Sequence, residues 1–160
     1  MKKLLFGLAI SWLANSVWAQ EQIAIVKVDQ AWVRETPSAV TTTAAYMQLT
    51  NLLDKEVVLI GGRSSSCEAV EIHQTIFEQE MAKMVPIEKL PLPPHATVTL
   101  KPKGLHIMLI NCQQSFKAGD MVKLTLLFNH DWLQELSLEV KKADDMVMSP
   151  FHHHSHSPKP

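Results

Sequence analysis

Glycine is scarce in this chain, five in 160 residues, and there is a single tyrosine. Little is left for Gly-rich phosphate loops or for aromatic base-stacking platforms. Bases do not outnumber acids, 15 against 16, which excludes a strongly basic nucleic-acid binder. Only two cysteines occur, Cys67 and Cys112, and they do not form a Cys-x-x-Cys pair. No segment has a long helical period with caps. The one sustained apolar run, residues 4–13, is too short to span a bilayer. Against these shortages stand eight His and eight Met, a high count of imidazoles and thioethers for one small domain.

The first nineteen residues read as a secretory signal peptide. Lys2 and Lys3 form the basic start, Leu4 to Leu13 the apolar stretch, and Val17-Trp18-Ala19 the small-residue cleavage site. Cleavage after Ala19 leaves 141 residues with a net charge of −3, long enough to bury a core. The expected destination is the Gram-negative periplasm, with no membrane insertion of the mature chain. In an oxidising compartment Cys67 and Cys112 are most simply a disulfide; two separate thiols, one on a metal, are the other possibility.

The mature sequence consists of short alternating apolar runs between breakers. Strands are expected at Ile23–Val28, Ala31–Arg34, Ala44–Thr50, Val57–Gly61, Ala69–His73, Ala82–Pro86, Thr97–Lys101, Leu105–Asn111, Val122–Phe128 and Glu135–Val140. Thr36-Pro37-Ser38, Gly61-Gly62, Pro91 to Pro94, Pro102-Lys103-Gly104 and Ala118-Gly119-Asp120 are the breakers. Thr75 to Lys83 is compatible with a helical turn or a hairpin loop. The pattern predicts an all-β domain over 20–143, an antiparallel sandwich or Greek-key barrel. Residues 144–160 lose periodicity and read as a flexible tail.

Chemistry concentrates in Leu105-His106-Ile107-Met108-Leu109. Strand alternation puts His106 and Met108 on one face, about 6.5–7 Å apart, with the apolar neighbours on the other. Imidazole beside thioether is half of a soft-metal site. Neutral thioether and imidazole ligands suit Cu(I) and need no deprotonation, unlike thiolates. His73 and Met84 are the candidates for the other half. Met81 is a weaker auxiliary candidate, and Met47 is assigned to packing. Trp32 is expected in the core, His95 and His130 at the surface. Glu71 shares the strand face of His73 and is read as a solvated carboxylate, with support of the imidazole as the alternative.

His73, Met84, His106 and Met108 stand in an H-x10-M-x21-H-x-M spacing. This resembles the periplasmic copper chaperones called PCuAC. Asp29-Gln30-Ala31-Trp32-Val33-Arg34 is similar to that family's opening strand, and Ala44 to Asn51 to its A-x-Y-x-x-L-x-N strand. Leu100 to Leu109 is similar to its L-x-P-G-G-x-H-x-M-L stretch, with Lys103 in place of the first Gly. The similarity runs from Val26 to Val140. It implies a cupredoxin-like sandwich that carries Cu(I) on His73, Met84, His106 and Met108. It also implies delivery to an apo-protein client, cytochrome c oxidase subunit II or another copper chaperone, during oxidase copper-site assembly.

In the tail, Met146, Met148, His152, His153, His154 and His156 cluster within eleven positions. A flexible imidazole cluster favours Cu(II), and some members of the resembling family carry such an extension. An inert tail and a remnant of an expression tag are the other readings. The reading as a whole is a monomeric carrier, not an enzyme. A storage or resistance protein is the alternative, and a thiol-disulfide oxidoreductase a further one. A blue-copper protein needs a Cys–His–Met ligand loop, which the residues after Cys112 do not provide.

Overall fold

The computed structural model describes residues 24–78 and 81–142. The expected signal segment 1–19 and the tail 144–160 lie outside the described residues.

The strands are β1 (Val26–Arg34), β2 (Thr43–Asn51), β3 (Val57–Arg63), β4 (Cys67–Glu78), β5 (Met81–Ile87), β6 (Leu90–Leu92), β7 (Thr97–Leu100), β8 (Leu105–Cys112), β9 (Met121–Phe128) and β10 (Leu133–Lys141). Among the described residues there is no helix, so the all-β expectation holds. The strands form one folded-over sheet in the order β5-β4-β8-β2-β1-β10-β9-β3-β6, with β7 paired beside β8 along β2. All pairings are antiparallel except β1 with β10, which is parallel. The wholly antiparallel expectation is corrected there.

Alternation builds the core. Val122, Leu124, Leu126 and Phe128 of β9 point inward, as do Ile107 and Leu109 of β8 and Leu138 and Val140 of β10. They meet Ala45, Met47 and Leu49 of β2 and Ile72 of β4. The two layers approach closely at Gly62, where a Cβ would lie 2.7 Å from Val70 Cγ1. Cys67 and Cys112, register partners on β4 and β8, are joined by a disulfide.

Several expected boundaries move. The first two expected strands are one, β1, with a bulge at Gln30, whose φ is +51°. The extra residue reverses the alternation. Val26 and Val28 face the core before it and Val33 after it, so Trp32 turns to the outer face. The Pro91 region, expected as a breaker, forms β6: Leu90 and Leu92 are buried and Pro91 is exposed on a sheet edge, where a missing N–H is tolerated. Thr75 to Lys83 is neither helical nor mainly loop. β4 runs on to Glu78 and pairs with β5 back to Met81. Beyond Gln74, β4 has lost β8 as a neighbour, so Thr75–Glu78 and Met81–Met84 form a two-stranded ribbon, and no residue of β5 is buried.

Candidate metal centre

The four expected ligands share one outer face through strand register. His73 of β4 lies opposite His106 of β8, and Glu71 opposite Met108. Thr75, the next residue of β4 on that face, lies opposite Met84 of β5. Directly opposed residues of antiparallel strands project to the same side. The His pair therefore occupies a middle row, with Met84 one row beyond it and Met108 one row behind it. Successive rows are about 7 Å apart.

The two imidazoles face each other with ring centroids 5.9 Å apart. A metal ion about 2 Å from a ring nitrogen lies about 3.2 Å from that ring's centroid, so one ion can join two rings whose centroids are within about 6.4 Å. The observed separation fits. His106 is 3% exposed, and its Nδ1 lies 3.0 Å from the Gly104 carbonyl oxygen. That carbonyl also accepts the Thr75 N–H at 3.1 Å. The His73 side chain is 14% exposed, with Nε2 2.8 Å from Glu71 Oε2. The second ring nitrogens, His73 Nδ1 and His106 Nε2, are buried and have no hydrogen-bond partner among the described residues. Buried polar nitrogens without partners are uncommon. Two of them, on rings 5.9 Å apart, can serve as donors to a metal ion. No group of three His, Cys, Asp or Glu able to hold a metal occurs among the described residues; the sulfur side chains in the rows on either side of the two rings are Met84 and Met108.

The thioethers differ in setting. Met108 is half-buried against Trp32, Ala44 and Tyr46. Trp32 and Tyr46 have ring centroids 4.8 Å apart, and Tyr46 lies 6.4 Å from His106. Trp32 is buried, as expected, but in this smaller cluster with Ala44 and Tyr46 on the outer face, an aromatic shelf, and not in the main core. Burial pushes the Tyr46 phenol above its ordinary 10.0, and the Arg34 guanidinium beside it offsets part of that rise. Met84 is 57% exposed on the ribbon. Met81 lies on the opposite face, across from Glu78, and takes no part in the centre. Met47 is core. His95 is exposed and sits 2.8 Å from Asp54, while His130 lies beside Trp132 with ring centroids 5.8 Å apart and planes tilted by 59°. Glu71 bonds to His73 rather than standing free in solvent. Pairwise alternation alone brings it within reach, but the shelf depends on the bulge. The tail candidates Met146, Met148, His152, His153, His154 and His156 lie outside the described residues.

A sandwich with this centre on its β4-β8-β2 face has the fold of PCuAC domains. The copper-bound PCuAC domain from PmoF2 superposes with a TM-score of 0.63 at 24% identity, over 74% of this chain and 94% of that one. DR1885 of Deinococcus radiodurans is similar in its apo form, with a TM-score of 0.58, 29% identity and coverage of 89% and 94%. Its CuI form gives 0.55, 28%, 81% and 86%. In sequence, the uncharacterized protein RP573 of Rickettsia prowazekii is 33% identical over 126 residues, 76% of this chain and 68% of that protein. The family model described as "Putative lipoprotein LpqE-like" matches residues 26–147, and the chain belongs to this LpqE-like family.

Proposed function

We propose that this protein is an exported copper carrier that holds Cu(I) on His73, Met84, His106 and Met108. The observation that carries the reading is the pair of buried, unpartnered imidazole nitrogens on facing rings, flanked by two thioethers. The likeness to DR1885, solved with CuI, supports copper as the cargo. Thioether and imidazole select a soft monovalent ion and carry no charge themselves. Copper therefore leaves by exchange of neutral ligands for those of an acceptor, with no bond of the cargo's partner broken. On this reading the protein is not an enzyme and works as a monomer. Its client is an apo copper protein, with the cytochrome c oxidase copper site, directly or through another chaperone, as the proposed end point.

Residues 1–19 act as the export signal, and the lipoprotein description of the family agrees with an envelope location. The Met/His tail is proposed as a second site, for Cu(II). β10 ends at Lys141 beside Arg34, two residues from Trp32 of the shelf. The thiol-disulfide alternative is disfavoured because the bridge between Cys67 and Cys112 is structural in setting, with Cys112 buried in the core and shielded from an attacking thiolate.

The test is Cu(I) titration of the mature protein against a competing chelator, with X-ray absorption at the copper edge. Wild type is compared with Met108→Ala and with a chain ending at Lys142. One tightly held Cu(I) with mixed nitrogen and sulfur scattering, weakened in Met108→Ala and retained without the tail, is the expected result. Binding that survives Met108→Ala and disappears with the tail refutes the four-residue centre. Oxidase activity against copper tolerance in a deletion strain separates delivery from storage.

A further inference from the structure

The two imidazoles do not offer the same nitrogen. A neutral imidazole has one N–H donor and one lone pair. The Gly104 carbonyl is an acceptor only, so at 3.0 Å from it His106 Nδ1 carries the proton and Nε2 is the lone pair. The Glu71 carboxylate is likewise an acceptor, so His73 Nε2 carries the proton at 2.8 Å and Nδ1 is the lone pair. The two lone-pair nitrogens are the two atoms found buried without partners. Each ring thus offers a buried lone pair that no protein group among the described residues occupies.

We infer that Glu71 is a positioning residue that fixes His73 as an Nδ1 donor, so that the cargo ion sits between Nδ1 of His73 and Nε2 of His106. This rests on the copper-carrier reading above and adds to it. Nδ1 is the ring nitrogen nearer the backbone, so the ion is drawn toward β4, while His106 reaches it from β8 with its far nitrogen. The arrangement follows from local sequence. Glu71 and His73 are two apart on one strand and share a face. His106 is two residues after Gly104, whose carbonyl is turned to it by the β7–β8 turn. A carboxylate on the distal N–H of a metal-binding His also raises that ring's basicity as a ligand. Glu71 remains 48% exposed, so its charge is partly screened and its substitution leaves the core untouched.

The test is long-range proton–nitrogen correlation NMR on the full mature protein with nitrogen-labelled His, before and after anaerobic loading with Cu(I). Wild type, Glu71→Gln and Glu71→Ala are compared, with Cu(I) affinity measured in parallel. In wild type, loading is expected to shift Nδ1 of His73 and Nε2 of His106, with the proton retained on the other nitrogen of each ring. Glu71→Ala is expected to mix the His73 tautomers and weaken Cu(I) about ten- to a hundred-fold, with the His106 pattern unchanged. Glu71→Gln keeps an acceptor oxygen and is expected to keep the tautomer, with a smaller loss. Loading that shifts Nε2 of both rings overturns the inference. So does a Glu71→Ala protein with unchanged tautomer and affinity. If loading shifts neither His, the copper centre itself fails, an outcome distinct from an error about Glu71 alone.

Discussion

The two thioethers provide the sharpest separation of binding from folding, because they are chemically identical and differently supported. Met108 stands on β8 between neighbours β4 and β2 and packs on Trp32, Ala44 and Tyr46. Complete burial of a Met side chain contributes about 1.5–3 kcal/mol. For a half-buried one, Met108→Ala is expected to cost the metal-free protein about 0.8–1.5 kcal/mol. Met84 is on a strand with no buried residue, in a ribbon paired with β4 alone, and is itself mostly exposed. Met84→Ala is expected to change metal-free stability by no more than about 0.5 kcal/mol.

With copper the comparison changes. A ligand that binds only the folded state adds about 4 kcal/mol when its free concentration is a thousand times Kd. A hundred-fold weaker Kd removes about 2.7 kcal/mol of that. Urea unfolding of wild type, Met84→Ala and Met108→Ala, each with and without buffered Cu(I), reads both quantities. Both variants should lose copper-dependent stabilisation, and only Met108→Ala should also lose metal-free stability. Equal metal-free losses refute the reading of β5 as a peripheral ribbon. Copper stabilisation intact in Met84→Ala refutes Met84 as a ligand.

Three further outcomes follow from the fold. The Cys67–Cys112 bridge closes a separation of 45 residues, and on a loop-entropy basis its reduction should remove about 4 kcal/mol, seen as a lower urea midpoint in reductant; an unchanged midpoint refutes this. Gly62→Ala would put a Cβ 2.7 Å from Val70 Cγ1 and 3.1 Å from the Thr125 carbonyl, and is expected to destabilise by about 1–3 kcal/mol, whereas a thermal midpoint within a degree or so of wild type would show that the layers yield there. Tyr46 is the sole tyrosine, and its folded-state pKa is raised by burial above 10.0. Its contribution to stability is therefore fully present below that unfolded-state value and lost as pH rises through the folded one. Near-ultraviolet tyrosinate absorbance should titrate later in the folded protein than in urea, and coincident curves would contradict the buried shelf.

Much of this arrangement is legible in the order of residues, and the parts that are not share a cause. Val122-Leu124-Leu126-Phe128 and Leu105-Ile107-Leu109 alternate without interruption, so β9 and β8 can be read directly. The shared face of His106 and Met108 follows from the same period. That Trp32 is buried is legible, but not on which face, because a single extra residue at Gln30 reverses the alternation and nothing in Asp-Gln-Ala advertises a bulge. Pro91 is misread because its meaning depends on whether β6 is an edge, a property of the sheet and not of the tripeptide. The ribbon is obscured because both its faces are wet, which removes the apolar period that marks a strand. Parallel pairing of β1 with β10 joins residues more than a hundred positions apart, beyond any local pattern.

The same division between supported and unsupported strands bears on how a carrier of this design would release its ion. His73 and His106 project from β4 and β8, whose inner sides place Ile72, Ile107 and Leu109 in the core. The disulfide joins these strands at register partners six residues along from the His pair on each. A one-residue slip of β8 on β4 would expose that apolar set, so the His pair is held in place by the fold itself. Met84 is held only by the ribbon, and an isolated two-stranded pairing is marginal in water. Exchange of neutral ligands needs one to leave before the others. In the proposed centre that one is Met84, at the exposed end, with Phe77 beside it on the same face of the ribbon. An acceptor would then meet the ion from the ribbon side while the two imidazoles and Met108 still hold it, so that copper need never be free in solution between carrier and client.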